Sequence, residues 1–304
     1  MATGNLTQQL QIPERPDGGQ PRSRSVRRGN TLGKLMAYVL LTLGGLVMFL
    51  PLVWLVSSSL KSPADIFVMP PRWIPDPPQW SNYREVMQQL PFLRYLINTL
   101  IITGLVLVGQ TLSASVSAFA FARLRWPGRD VIFAVLIATM MVPYTVTMIP
   151  TFILFRNFGW LDTFLPLTVP AFFGGSAFFV FLLRQFFRTI PMDLDESARL
   201  DGASSFRILW DIILPNSRPA LAVVMIFSFM ATWNDFFGPL IYLQSADNRT
   251  LALGLMSLQG LAWGRDMTHL VMAVSVIMVA PVIVLFFFAQ RTFIQGIVLT
   301  GIKG

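Results

Sequence analysis

Polar and apolar residues alternate along this chain in long blocks. Five stretches contain no Asp, Glu, Lys or Arg, and a sixth contains only Asp235; they are 35–60, 95–122, 131–155, 163–183, 267–290 and, with Asp235, 219–246. A helix needs about 20 apolar residues to cross a bilayer. Barrel strands are disfavoured because the apolar residues are continuous rather than alternating. The pattern predicts an all-α integral membrane fold with six transmembrane helices.

The distribution of positive charge predicts the orientation of these helices. Charged residues make up 12% of the chain, about half of the usual share in soluble domains. If the N-terminus is cytoplasmic, sixteen of the 23 Lys and Arg residues lie on the inner side. This is the asymmetry of the positive-inside rule, so we expect both termini in the cytoplasm. The net charge of +8 therefore reports orientation and not nucleic-acid binding.

The chain divides into a polar tail and a membrane domain. Residues 1–33 are rich in Gly, Pro, Gln and Arg. Such a composition cannot bury a core and predicts a disordered cytoplasmic tail. Its arginines would hold the start of the first span inside, and contact with membrane lipids is the alternative. The transmembrane domain is expected to occupy 34–304.

The longest outer segment is 61–94, which contains several prolines and two tryptophans. It predicts an extended piece followed by a short helix near the membrane surface. Trp73 and Trp80 fit interfacial anchors, and contact with a partner is the alternative.

Small residues and prolines predict how the spans pack. The run SASVSAFAFA at 113–122 lets a neighbouring helix approach the second span closely, and we expect static packing there. Prolines inside or near the ends of spans predict bends; they are Pro51, Pro143, Pro150, Pro239 and Pro281.

The loop between the fourth and fifth spans is predicted to contain two short helices. Asp193 and Glu196 have the spacing of a capping box at the start of the first helix. Gly202 ends that helix, as a residue in a left-handed conformation would. Ser204 or Ser205 is expected to cap the second helix.

The second helix of this loop carries one apolar stripe. Its members fall at i, i+3, i+4 and i+7, which predicts a face packed on the membrane bundle; they are Phe206, Leu209, Trp210 and Ile213.

The turn between the two helices is expected to face a partner in the cytoplasm. Its side chains are small, so a partner surface could approach the backbone at Ser197, Ala198, Gly202 and Ala203. Glu196, Arg199 and Asp201 would then fix the orientation of the partner electrostatically.

The same loop carries a long-spaced motif. The sequence reads ESARLDG, then nine residues, then IILP. It resembles the E-A-A-x-x-x-G loop, followed after nine residues by I-x-L-P, of the integral-membrane permeases of ABC importers. Glu196, Ala198 and Gly202 match the first part, and Ile212, Leu214 and Pro215 match the second. Ser197 departs from the usual alanine but is also small.

Other segments extend this resemblance over nearly everything after residue 34. They are NTL at 98–100, RLRWPGRD after the second span, WNDFFGPLIYL at 233–243 and the ending QGIVLTGIKG. They are similar to the carbohydrate-uptake branch, and most similar to the second permease of maltose-type systems.

The resemblance implies a set of partners and a location. It implies two copies of a cytoplasmic ATPase subunit, into which the coupling loop 191–218 docks. It also implies a second, homologous permease and an extracytoplasmic solute-binding protein. The chain would be a multi-pass protein of a prokaryotic cytoplasmic membrane. ATP and Mg²⁺ would be bound by the ATPase subunits, and this chain would bind no cofactor.

The chain lacks the residues of a catalytic site. The nearest approach to a phosphate-binding loop is GIVLTGIKG at 296–304, in which Ile302 follows the second glycine and no Ser or Thr follows Lys303. The single histidine, His269, supports neither a metal site nor a proton relay. We predict a non-catalytic subunit. The resemblance makes Lys303 a candidate contact with the ATPase, and a frayed terminus is the alternative.

A substrate path is predicted around the one carboxylate in a span. Asp235 is expected in the outer half of the fifth span, where an acidic group faces a cavity or a partner. Trp233 and Asn234 beside it could meet a sugar, and Asn98 at the start of the second span is a further candidate. The alternative is a packing anchor between two permeases.

The predicted function is sugar translocation through an ATP-driven importer, with a di- or oligosaccharide as substrate. Glycerol phosphates, their diesters and polyols remain open. The rival classes are an ion-gradient-driven transporter, a membrane enzyme and an exporter permease. A secondary transporter should show internal repeats and several buried ionisable groups, which this sequence lacks.

Overall fold

The computed structural model describes residues 26–261 and 267–301, with side chains over 33–259 and 267–290. The chain forms two compact units, one ending at Leu52 and the other beginning at Val53. The α-helices are α1 (Val26–Ser59), α2 (Ser81–Gln89), α3 (Phe92–Arg123), α4 (Arg129–Thr139), α5 (Tyr144–Asn157), α6 (Leu165–Thr168), α7 (Ala177–Phe187), α8 (Asp193–Leu200), α9 (Ser205–Ile208), α10 (Leu214–Asn216), α11 (Arg218–Trp233), α12 (Phe237–Tyr242), α13 (Leu251–Leu261) and α14 (Thr268–Gly301). Short 3₁₀ turns and one π-helical turn, Leu209–Ile213, complete the regular structure of these ranges.

The helices account for four to six membrane spans. Four are long and apolar enough to cross a bilayer as single helices: Gly33–Ser59, Phe92–Arg123, Leu165–Phe187 and Thr268–Gln290. Two bent pairs raise the total to six, namely α4 with α5, bent by 99°, and Ser205–Asn216 with α11, bent by 83°. The all-helical membrane fold is confirmed, whereas the cytoplasmic position of both termini stays a prediction.

One of the predicted prolines coincides with a break between two helices, whereas others lie inside helices. Pro143 immediately precedes α5, at the break in the third span. Pro51, Pro150 and Pro281 instead lie inside α1, α5 and α14. A missing backbone donor is tolerated inside a long membrane helix, so the residue type alone does not place a bend.

The first helix begins earlier than predicted. It starts at Val26, inside the segment expected to be a disordered tail. A helix satisfies its backbone hydrogen bonds internally, so the turns that precede the apolar run can form without a core to pack on. Residues 1–25 lie outside the described ranges.

In the second unit, one hydrophobic core surrounds the carboxyl end of α3. Ala114 and Ala118 are fully buried and lie in one cluster with Phe179, Val180 and Leu183 of α7. The prediction that the small residues of the second span allow close packing is confirmed. Side chains from the loop that follows α7 complete the same cluster.

A second core lies at the opposite end of α3. Tyr95 and Trp233 pack there with side chains of α2, α13 and α14. Tyr95 and Arg123 are separated by 28 positions, or about 42 Å of helix at the standard rise. The helix α3 therefore connects two cores and can transmit displacement between them.

Candidate functional site

The loop between α7 and α11 folds into the predicted helix–turn–helix. The helix α8 covers Asp193–Leu200, and α9 begins at Ser205. Gly202 has φ of 81°, the left-handed conformation expected of it. A Cβ at this position would meet no atom within 4 Å, so the glycine is required by its backbone conformation and not by space. Ser204 caps α9 by accepting a hydrogen bond from the backbone N–H of Arg207, as predicted.

The predicted capping box at the start of α8 is wrong. The residue at the cap position is Met192, which makes no side-chain cap hydrogen bond, and Asp193 is already helical. The following acidic residue, Asp195, is fully buried instead. Burial of this carboxylate reflects a partner from another part of the chain, which sequence spacing cannot reveal.

That partner is Arg123, the last residue of α3. Its guanidinium lies 3.7 Å from the Asp195 carboxylate, and the two side chains are 1% and 0% exposed. The Nη2 group of Arg123 also donates to the backbone carbonyls of Phe187 and Ile190, at 2.7 and 2.8 Å. Arg123 thus joins the end of α3, the end of α7 and the helix α8.

Burial dominates the electrostatics of this pair. Desolvation raises the pKa of Asp195 above its ordinary value, although the positive charges of Arg123 and Arg199 act in the opposite direction. Among the described residues, neither carboxylate oxygen of Asp195 receives a hydrogen bond. The pair is therefore held by charge alone, and either member without the other would be a buried uncompensated charge.

The opposite side of α8 faces the surroundings. The predicted contact residues Glu196, Ser197, Arg199, Asp201 and Gly202 are all exposed. Leu200 is 90% exposed and lies in the middle of this surface. Sequence reasoning missed Leu200, although an isolated leucine among charged residues on a predicted water-facing turn was an available signal.

The remaining predicted contact residues connect this surface to the core. Ala198, Ala203 and Leu214 are half-buried and pack against the first cluster. Ile212 is half-buried and Pro215 is exposed. The structure thus brings the motif residues onto one short segment with a buried and an exposed side.

The predicted apolar stripe of the second helix is partly wrong. Leu209 and Ile213 are buried, but Phe206 and Trp210 are 68% and 52% exposed and stack on each other. Ile208 takes their place in the core. The reason is the π-helical turn, which contains more residues per turn than an α-helix and so brings residues five apart, Ile208 and Ile213, to one face.

All four predicted substrate-path residues have hydrogen-bond partners within the chain. Trp233 is 2% exposed, stacks on Phe229, and donates from Nε1 to the carbonyl of Met278. Asn98 is buried and donates to the carbonyls of Asp247 and Arg249. These contacts favour packing roles for Trp233 and Asn98.

The side chain of Asn234 also hydrogen-bonds to a backbone carbonyl, but this residue is not buried. It is exposed, and its side-chain amide donates to the Met230 carbonyl one turn earlier in α11. Asn234 is the residue that follows the last turn of α11, and it does not line the cavities that Asp235 borders.

Asp235 lies beyond the helix in which it was expected. The helix α11 ends at Trp233, so Asp235 occupies the break before α12. Its Oδ1 accepts a hydrogen bond from the backbone N–H of Gly238 at 3.1 Å. Asp235 lines two cavities, of about 440 and about 80 Å³. Of the four candidates, it is the one that lines these cavities.

Hydrogen bonds join the loop at Asp162 to the loop at 244–248, next to these cavities. Asp162 has a positive φ of 59°, and its Oδ1 accepts from the backbone N–H groups of Gln244 and Ser245 at 3.0 and 2.9 Å. The amide of Asn248 donates to the same residue. These hydrogen bonds, led by that of Ser245, lower the pKa of Asp162. Lys303 lies outside the described residues.

Comparison with known proteins gives consistent matches over this fold. Residues 109–298 match the family model of the binding-protein-dependent transport system inner membrane component. The chain is 31% identical over 271 residues to the sn-glycerol-3-phosphate transport system permease protein UgpE of Yersinia pestis bv. Antiqua, covering 87% of this chain and 95% of that protein. The UgpE protein of Agrobacterium fabrum is 29% identical, with coverages of 88% and 97%.

Solved structures agree. A bacterial ABC transporter involved in the import of the acidic polysaccharide alginate matches with a TM-score of 0.76 and 26% identity, covering 87% of this chain and 97% of that one. A second structure, the alginate transporter in complex with its pentasaccharide-bound periplasmic protein, matches with a TM-score of 0.62 at 17% identity and shows the fold alone.

The family match spans more than half of the chain and includes the whole loop with the Glu196–Pro215 motif. The resemblance drawn from that motif is therefore confirmed. This chain belongs to the inner membrane components of binding-protein-dependent transport systems, and is a multi-pass, non-catalytic permease subunit of a bacterial ABC importer.

Proposed function

We propose that this chain is one of two homologous permeases of an ATP-driven sugar importer, and that its loop 191–218 docks into a cytoplasmic ATPase subunit. The Arg123–Asp195 pair is the observation that supports the proposal most strongly. The exposed surface and the buried contact belong to the same eight-residue helix, α8. A displacement of that surface would therefore move the end of α3 without an intervening flexible segment.

In the proposed cycle, two copies of the ATPase bind ATP with Mg²⁺ and close. Each ATPase carries one coupling loop with it, and the permease pair opens outward. A solute-binding protein outside delivers the solute to the outer loops 61–94, 157–165 and 244–268. In this proposal the chain supplies the loop 191–218, which moves with the ATPase, and part of the route that the solute takes through the membrane. It binds neither nucleotide nor metal.

The proposed substrate is a di- or oligosaccharide. The resemblance to the carbohydrate-uptake branch supports it, as does the import of a polysaccharide by the structural neighbour. The names of the UgpE relatives favour sn-glycerol 3-phosphate as the alternative within the same importer class.

The importer is tested by uptake into proteoliposomes that hold the complete complex. ATP is enclosed in the lumen, the binding protein and a labelled solute are added outside, and ionophores collapse all ion gradients. We expect uptake that requires hydrolysable ATP and continues without gradients. Uptake that does not depend on ATP and stops when the gradients collapse would instead identify an ion-driven transporter.

A further inference from the structure

A cavity of about 440 Å³ lies where the membrane spans are interrupted. One wall is α5, the second half of the broken third span, with Tyr144 and Thr151. Pro166 of the fourth span forms another wall. The third wall is formed by Asp235, which precedes α12, and by Tyr242, the last residue of α12. Its volume is in the ordinary range for small-molecule sites. Irregular backbone at membrane depth is tolerated where it lines such a space.

The carboxylate of Asp235 is held in place by backbone. Its Oδ1 accepts from the N–H of Gly238, and a Cβ at Gly238 would fall 2.6 Å from Oδ2. Only glycine at position 238 lets the carboxylate take this position. No described Lys or Arg forms an ion pair with Asp235, and none lines either cavity that it borders.

The cavity presents aromatic rings beside this carboxylate. Tyr242 is buried and contacts the rings of Phe152 and Phe155 with centroids at 6.3 and 5.5 Å, and it lines the cavity together with Tyr144. Tyr144 is 51% exposed. The cavity is thus lined by one tyrosine fixed by aromatic contacts and by a second tyrosine that is largely exposed.

This set of groups matches one class of ligand. Tyrosine rings cover apolar C–H faces, and their hydroxyls can both donate and accept hydrogen bonds. A carboxylate accepts hydrogen bonds from hydroxyl groups. The smaller neighbouring cavity, which shares Asp235, adds the threonines Thr99, Thr232 and Thr250.

We propose that this cavity is a subsite for a neutral, hydroxyl-rich solute, and that Asp235 acts as a filter against anions. The proposal rests on the importer function and narrows its substrate class. A phosphate or uronate group next to an uncompensated carboxylate would place like charges together where water screens them poorly. We therefore expect a neutral sugar here, in contrast to the anionic solutes named for the UgpE relatives and the alginate transporter.

The test measures equilibrium binding to the complete importer in nanodiscs, without the binding protein. Five probes are titrated by calorimetry and by ligand-observed NMR: glucose, maltose, maltotriose, sn-glycerol 3-phosphate and an alginate oligosaccharide. We expect at least one neutral sugar to bind, and both anions to bind at least tenfold more weakly. Asp235→Asn should weaken the binding of the sugar. It should also reduce the ratio between the affinities for the sugar and for the anions at least threefold.

Two further variants distinguish binding in this cavity from binding elsewhere in the complex. Tyr144→Ala should lower the affinity for the sugar at least tenfold. Thr147→Val is the matched control, because Thr147 is an exposed residue of the same helix whose hydroxyl donates to a backbone carbonyl and which does not line the cavity. Its affinities should stay within twofold of those of the unmodified protein.

Several results would overturn the subsite. They are binding of none of the five probes, anions that bind as tightly as the sugars, a discrimination that Asp235→Asn leaves unchanged, and a Tyr144→Ala variant that behaves like the control. Uptake assays keep the two proposals apart. Transport that depends on ATP while the cavity variants bind normally leaves the importer intact and removes the subsite, whereas ATP-independent uptake removes the importer.

Discussion

The guanidinium of Arg123 at the end of α3 lies 3.7 Å from the carboxylate of Asp195 on α8, and almost no part of either side chain is exposed. These residues are 72 positions apart, and one belongs to a membrane span while the other belongs to the coupling loop. The loop is therefore attached to the membrane helix α3 by a buried ionic contact as well as by apolar packing.

The first prediction concerns the removal of one member of this pair. Asp195→Leu or Arg123→Met leaves the other charge buried without its partner, which costs about 3–5 kcal/mol. We expect either variant to lower the unfolding free energy of the full-length chain in detergent by that amount, and to reduce transport. Chemical denaturation monitored by tryptophan fluorescence measures the change.

The double variant Arg123→Met with Asp195→Leu should recover most of this stability, since no uncompensated charge remains. The exposed pair Arg207–Asp211 provides the control. Its members are 72% and 56% exposed, so Arg207→Ala should change stability by about 1 kcal/mol or less. Equal losses at the buried and exposed pairs would contradict the role of burial.

The second prediction concerns the pH dependence of the outer loops. The pKa of folded Asp162 lies below its ordinary value, chiefly because the backbone N–H of Ser245 donates to it. Its contribution to stability is complete above the unfolded pKa of about 3.9 and is lost as pH falls through the folded pKa. Because Asp162 is partly exposed, we expect this contribution to be at most about 1 kcal/mol.

Asp162→Asn is the variant of choice, since asparagine also tolerates a positive φ. Its stability should be lower at neutral pH and should vary less than that of the unmodified protein between about pH 5 and pH 2. Denaturation curves across this range measure the difference. Parallel pH profiles for the two proteins would show that the carboxylate contributes nothing.

The third prediction concerns Gly202. Its left-handed conformation disfavours other residues by about 1 kcal/mol, yet a side chain there would meet only open space. We expect Gly202→Trp to fold and to insert into the membrane, but to lose transport and ATPase co-purification. Pull-down of the complex and uptake assays measure these losses.

Gly159 offers a matched control for Gly202. It also has a positive φ, of 70°, and a Cβ there would likewise meet no atom within 4 Å. Gly159→Trp therefore introduces a comparable backbone strain outside the coupling loop, and should leave ATPase co-purification unchanged. If both variants lose the ATPase equally, the effect arises from strain and not from docking.

The fourth prediction assigns Trp233 to the core. Trp233→Ala removes a fully buried ring and its hydrogen bond to Met278, and should lower the unfolding free energy by about 3–5 kcal/mol. The same change at the exposed Trp80 should lower the unfolding free energy by about 1 kcal/mol or less. Solute affinity measured on folded complex should be unchanged in both. A loss of solute affinity in Trp233→Ala but not in Trp80→Ala would contradict the packing role and would support contact between Trp233 and the solute.

The membrane spans and the coupling motif were predictable because both are local properties of the sequence. Runs without charge identify membrane helices by length and polarity alone: four of the predicted spans are single helices of sufficient length, and the third and fifth correspond to bent helix pairs. The turn at Gly202 and the cap at Ser204 depend on residues within one or two turns of each other. Such features follow from the chemistry of neighbouring residues.

The same reasoning failed where a distant residue or a change of helical pitch intervened. Asp193 and Glu196 were predicted to form a local capping box, whereas the acidic residue that the fold buries is Asp195, whose partner Arg123 comes from another span. Phe206 and Trp210 were placed in the core by a period of 3.6, which the π-helical turn at Leu209–Ile213 displaces. Both errors concern side chains whose environment is set by the packing of whole helices.

The sequence by itself determined that this is a helical membrane permease with a coupling loop, because hydrophobic length and motif spacing are written along the chain. Only the tertiary structure decided which polar groups are buried together and which face open space. Asp195 and Asp235 are both acidic residues near span ends, yet one is paired inside a core and the other lines a cavity. Their difference arises from contacts between segments far apart in sequence, whose free energies no local pattern encodes.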